Sequence, residues 1–186
     1  MLAGHDPRDP ASVADPEVTA ALEHVARVLA AEGAVLRDIA LPSLAEFAAV
    51  NRVIMHSEAW AIHAPWLRTR PGEYGQLARR RLMTGAFLEA GDYVQAQRRR
   101  LQMIATVEDA LRDVDVLLCA SSMDPAARID APEAVARTYP RQARTPFNVT
   151  GHPALAMAAG LSGGRLPLSV QFVGRNFDEA TLFRVA

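Results

Sequence analysis

The sequence predicts an α/β fold, a layered sandwich in which a mixed β-sheet is flanked by helices. Half of the 186 residues are hydrophobic, enough chain for a single domain, residues 1–186, with a sizeable core. Stretches with helical apolar spacing alternate with short apolar runs, the pattern of a layered α/β domain. Two apolar runs, residues 154–158 and 168–173, flank the turn sequence LSGGR at 161–165, a strong hairpin signal.

Residues 1–14 are rich in Pro, Asp and Gly and read as an N-terminal loop, because an Asp before a Pro disfavours helix. Asp15 is placed as an N-cap with Pro16 at the first helical position. Val18, Leu22, Val25 and Leu29 follow on one face, and Gly33 closes the helix. Residues 34–41 carry strand-like Val35, Leu36, Ile39 and Leu41 and stop at Pro42. Ser43 with Glu46 fits a capping box for a second helix, whose stripe of Phe47, Val50, Ile54 and Ala61 runs toward a break at Pro65. Residues 74–83 predict a shorter helix. Asp92 is expected to cap a long one in which Val94, Leu101, Ile104 and Leu111 share a face and Arg98, Arg99 and Arg100 are solvated. Residues 114–119 form an apolar strand candidate, and residues 121–140, broken by Pro and Asp, read as a loop. A last helix begins at Asn176 or Asp178.

The 20 basic side chains are all arginine, against 21 acidic ones, for a formal net charge of -1. No global field favours nucleic acid or an anionic membrane, so small molecules or proteins are the expected partners. Without lysine, no side chain can act as a neutral amine base, because arginine stays protonated. The single cysteine, Cys119, lies in an apolar run and reads as a buried thiol, which excludes an internal disulfide. No stretch approaches the roughly 20 apolar residues of a membrane span, and the first residues lack a signal-peptide pattern. The expected location is cytoplasmic, with no metal or organic cofactor implied.

An ordered set of motifs then narrows the reading. RTPFNVTGHPALAM at 144–157 and LSVQFVGRNFDEATL at 168–182 closely resemble the C-terminal end of the amidase signature family. GHDPRDP at 4–10, DPEV at 15–18, RRRLMTG at 79–85, DYVQAQ at 92–97 and VDVLL at 114–118 follow in family order. The resemblance implies a partial version of the amidase fold. It also implies that the Ser-cisSer-Lys triad and the Gly-rich oxyanion loop of the family belong to a portion upstream of the part this chain matches. A strand-containing segment of the family is missing between Val13 and Asp15, and the family's last helix runs further than this one. The expectation is an incomplete sheet with an open edge or an uncovered apolar face.

By the same resemblance three residues become substrate-binding candidates. Arg81 stands where amidotransferase A subunits have an arginine that reads the substrate's carboxylate, a bidentate task suited to guanidinium. Its competing reading is a solvated surface arginine. Thr145 and Asn148 lie in the segment that borders the family's pocket, with Asn148 alternatively bonding backbone before Gly151. Arg141 occupies the place where glutamine-using A subunits have an aspartate. A cation there would repel an amino group, which favours a general amidase lineage.

No catalytic residue is assigned. Ser121 and Ser122 follow an apolar run and read as a strand terminus, not as serines in a Gly-rich loop with free backbone N–H groups. His56, Glu58 and His63 share a helical segment but lack the spacing and the third ligand of a zinc site. Gly160, Gly163 and Gly164 are turn glycines, with no Lys-Ser/Thr after them to make a phosphate loop. Two functions remain. One is a C-terminal portion or truncated member of an amide hydrolase, inactive alone, that meets a small amide only in a complete enzyme with a complementing N-terminal half. The other is a degenerate, non-catalytic binding or structural module that forms a homodimer.

Overall fold

The computed structural model describes residues 2–3 and 13–186. The GHDPRDP motif and most of the expected N-terminal loop lie outside the described residues. In chain order the elements are β1 (Leu2–Ala3), α1 (Pro16–Ala31), β2 (Ile39–Ala40), α2 (Leu44–Thr69), α3 (Gln76–Met83), α4 (Ala90–Ala110), β3 (Leu117–Ala120), α5 (Pro132–Thr138), α6 (Thr145–Thr150), β4 (Ala154–Leu161), β5 (Pro167–Val173) and α7 (Glu179–Val185). The α/β class and the flanking helices agree with the sequence reading. The strands run in both senses: β3, β5 and β4 form an antiparallel sheet in that order, while β1 and β2 pair in parallel.

Period-two alternation gives the sheet two buried faces. Leu117 and Cys119 of β3 and Val173 of β5 face α2, α4 and α6, where they join Phe47, Val50, Met103, Val107 and Phe147 in the main core. Leu118 of β3, Leu155 and Met157 of β4, and Val170 and Phe172 of β5 face α1 and α7, packing on Leu22, Val25, Leu29 and Leu182. The helices cover β3 and β5 more fully than β4. Ala154, Ala156, Ala158 and Gly160 alternate outward and are exposed, and β4 is, with β3, an edge strand of the antiparallel sheet among the described residues.

Asp15 caps α1 as read, while Ser43 caps α2 without the reciprocal half of the expected capping box, because the Glu46 carboxylate pairs with Arg99. Asp15 Oδ1 accepts from the Glu17 N–H at 2.9 Å, and Ser43 Oγ accepts from the Glu46 N–H at 3.2 Å. The hairpin forms with Ala154 opposite Val173 and a register irregularity between Ala158 and Leu161.

Other expectations are corrected. The strand over 34–41 shrinks to β2, with Val35 83 % exposed, because among the described residues two, Ile39 and Ala40, find a partner in β1. Helix α2 continues through Pro65, which lies on its exposed side, and ends at Thr69. Helix α4 starts earlier than expected: Glu89 is its N-cap, and Asp92 at N3 closes a reciprocal capping box. Its buried face is Ala96, Met103 and Val107, while Val94 and Leu101 are exposed. The stretch 121–140 contains α5, and the run from Thr145 is the helix α6, ended by Gly151 at φ 81°.

Candidate substrate pocket

The C-terminal half of the chain converges on one open cavity of about 350 Å³. Its walls come from the loop after β3 (Ser122, Asp124 to Ala127), from α5 and Tyr139, from the turn before α6 (Gln142, Arg144) and from the start of β5 (Pro167 to Ser169), with Val18 of α1 closing one side. Polar and apolar side chains line it in about equal measure, and its size suits a small molecule.

The frame is held by buried hydrogen bonds. Gln171 on β5 donates through Nε2 to the carbonyls of Ala120 at 3.2 Å and Ala143 at 3.1 Å. That clamp fixes the end of β3 and the residue just before Arg144. Asp124 accepts from Arg141 Nε at 2.6 Å, both side chains being about four-fifths buried, so the carboxylate in the wall is neutralised. Gln142 donates to Thr138 O at 3.3 Å, but its Oε1 is buried without a hydrogen-bond partner. An orphaned carbonyl oxygen of this kind calls for a donor.

The expected substrate residues reach this cavity unequally. Arg81 lies on α3, far away in sequence, yet its guanidinium carbon sits 4.5 Å from the centre of the Tyr139 ring, which lines the cavity. Thr145 is the half-buried first residue of α6, its N–H bonded to Gln142 O at 3.1 Å, next to Arg144 but not in the cavity wall. Asn148 is exposed one turn later and does not line the cavity. Tyr139, Gln142, Arg144 and Ser169 line the cavity without having been singled out in the sequence. Arg144 opens the RTPFNVTG run and was visible there as a cation beside Thr145.

The serine pair does not sit among activating groups. Ser121 follows β3 directly, and its buried Oγ has no partner. Ser122 reaches the cavity wall, where its Oγ accepts a long bond of 3.4 Å from the Asp124 N–H. His63 Nδ1 lies 2.9 Å from Tyr74 Oη, and Glu58 accepts from Tyr93 Oη at 3.0 Å. Among the described residues no three His, Cys, Asp or Glu side chains gather as a metal site, and no helix is long and apolar enough to cross a membrane. Burial pushes the Cys119 thiol up to about 12, with a Gln171 hydrogen bond acting the other way. Burial also holds His152 below its ordinary proton affinity, against the pull of Glu108.

The chain matches the model of the Amidase family over residues 3–183. It belongs to the Amidase family. It is 31% identical to the A subunit of glutamyl-tRNA(Gln) amidotransferase from Shouchella clausii, over 91% of this chain and 40% of that relative. It is 36% identical to AmiD of Mycobacterium bovis, a protein named as a putative amidase, over 66% of this chain and 27% of AmiD. A crystal structure of an amidase superposes with a TM-score of 0.76 at 26% identity, covering 89% of this chain and 39% of that one. The chain thus spans well under half the length of these family members.

Proposed function

We propose that this chain is the substrate-side portion of an amide hydrolase of the Amidase family: it shapes the acyl pocket while nucleophile, base and oxyanion donors come from the remainder of the fold. The observation that carries this reading is the pairing of a family match over residues 3–183 with a sequence that contains no lysine. A lysine base is what the family resemblance demands, and arginine cannot replace it. By itself the chain does not cleave amides, and it meets a small amide only in the complete enzyme. Arg81, with Tyr139 and Arg144, serves the acyl side of the pocket, and Thr145 and Asn148 take part from α6 only when the remainder of the fold is in place. The proposed setting is cytoplasmic.

A second reading, a non-catalytic dimeric module, is favoured by the uncovered apolar side chains of α2. Met55, Ile62 and Trp66 lie on one helical face and are each 45% exposed or more. Light scattering on the purified chain separates the two. A monomer supports the substrate-side reading, and a compact dimer supports the second.

A further inference from the structure

A buried amide holds the two walls of the cavity together at the sheet. Gln171 stands on the core face of β5, in line with Val173 and opposite Cys119 of β3, and is 3% exposed. Burying an amide there is costly unless its polar atoms are satisfied. Its Nε2 carries two N–H groups and directs them to carbonyls of two different segments, Ala120 and Ala143. Each carbonyl stands at the root of one wall. Past Ala120 the chain runs through Ser122 and Asp124 to Ala127, and Ala143 lies between Gln142 and Arg144. Farther out the same walls are joined by Asp124 with Arg141, and by the Met123 N–H bonded to Arg141 O at 3.0 Å. Gln171 joins them at their base.

We infer that Gln171 is a positioning residue of the substrate cavity: its single amide group sets the separation of the two walls at their base, and with it the width open to an acyl chain. This rests on the proposed role of the cavity as the substrate pocket. Gln171 does not itself line the cavity and acts through the segments that do. The chemistry narrows what can stand in for it. Methionine fills a similar volume but donates nothing, so two buried carbonyls lose this partner. A neutral glutamic acid donates one O–H, enough for one wall.

Hydrogen exchange on the chain at pH 5 tests this through one backbone bond beside each carbonyl: Ser121 N–H to Ser169 O at 3.3 Å, and Thr145 N–H to Gln142 O at 3.1 Å. The Leu111 N–H, bonded to Val107 O at 3.0 Å at the buried end of α4, reports on the core away from this cavity. In Gln171→Met both wall amides exchange at least about tenfold faster relative to Leu111. In Gln171→Glu burial keeps the carboxyl neutral at this pH, and one of the two regains its parental ratio while the other does not. Wall amides that keep their parental ratio in Gln171→Met overturn the assignment. So does a Leu111 that speeds up as much as they do, which would mark a role in the fold as a whole, or a glutamate variant that behaves as the methionine one. No amide substrate enters the measurement, so its failure leaves the substrate-side reading standing, and failure of that reading leaves the wall exchange unchanged.

Discussion

Arg100 donates through Nε to the carbonyl oxygen of Val149 at 2.6 Å, linking the middle of α4 to the end of α6. This side chain, expected on a solvated face, instead satisfies one of the terminal carbonyls that a helix leaves unpaired. The bond fixes the helix that begins at Thr145, beside the cavity. Arg100→Met keeps the aliphatic stem and removes the donor. It is expected to cost about 1.5–3 kcal/mol, as for a hydrogen bond to a charged group. Urea unfolding should show a lower midpoint with an unchanged slope.

Gly85 sets how closely the turn after α3 approaches α2. A Cβ there would lie 2.1 Å from the His56 carbonyl oxygen and 2.5 Å from Trp60 Cβ, and the carbonyl belongs to the helix backbone. Gly85→Ala should destabilise by about 1–3 kcal/mol or more, since α2 must shift. Gly72→Ala, where a Cβ meets nothing within 4 Å, should stay within about 0.5 kcal/mol of the parent. Paired thermal melts check the contrast.

How much of this was legible in the sequence follows from what decides each feature. Caps are local, so Asp15 with Pro16, and Ser43 with Glu46, marked their helices correctly. The hairpin was equally local, fixed by alternation and its Gly-Gly turn. The buried face of α4 was not local. Val94 and Leu101 fit a stripe as well as Ala96, Met103 and Val107 do, and packing against α2 and α6 decides between them. Pro65 misled because its helix runs on along an exposed side, where the lost hydrogen bond is tolerated. In the pocket, Arg81 was named from its motif, but its stacking on Tyr139 joins residues far apart in sequence. Gln142 carried no sequence signal, since its role rests on an oxygen that folding leaves unpaired.

The Cys119 thiol should behave as a core side chain. With its ionisation moved from 9.0 to about 12 by burial, it stays protonated in the folded state while the unfolded chain ionises from about pH 9. The unfolded state then binds fewer protons, so the stability contribution is intact below pH 9 and declines as pH rises toward 12. Stability measured from pH 8 to 10.5 should fall more steeply for the parent than for Cys119→Ala. Thiol reagents should react only on unfolding.

His152 gives the opposite slope. Its Nδ1 lies 2.9 Å from Thr150 Oγ1, its Nε2 is buried without a partner, and burial lowers its proton affinity below the ordinary value of 6.5. The unfolded chain takes up a proton near pH 6.5 that the folded chain resists. The contribution is therefore full above that pH and is lost as pH falls through the lower folded value. Denaturation curves between pH 7.5 and 5 should show His152→Leu losing less stability on acidification than the parent.

The most direct test of the account is an amide hydrolysis assay on the purified chain, using a small aliphatic amide and an aromatic amide, with Ser122→Ala in parallel. Ser122 is one of the hydroxyls in the cavity wall, and the one two residues from Asp124, so it is the nucleophile the pocket would recruit first. The account predicts that parent and variant are alike and release no ammonia above the buffer rate, because neither a lysine base nor an activated serine is at hand. Reproducible turnover by the parent that Ser122→Ala abolishes would contradict it.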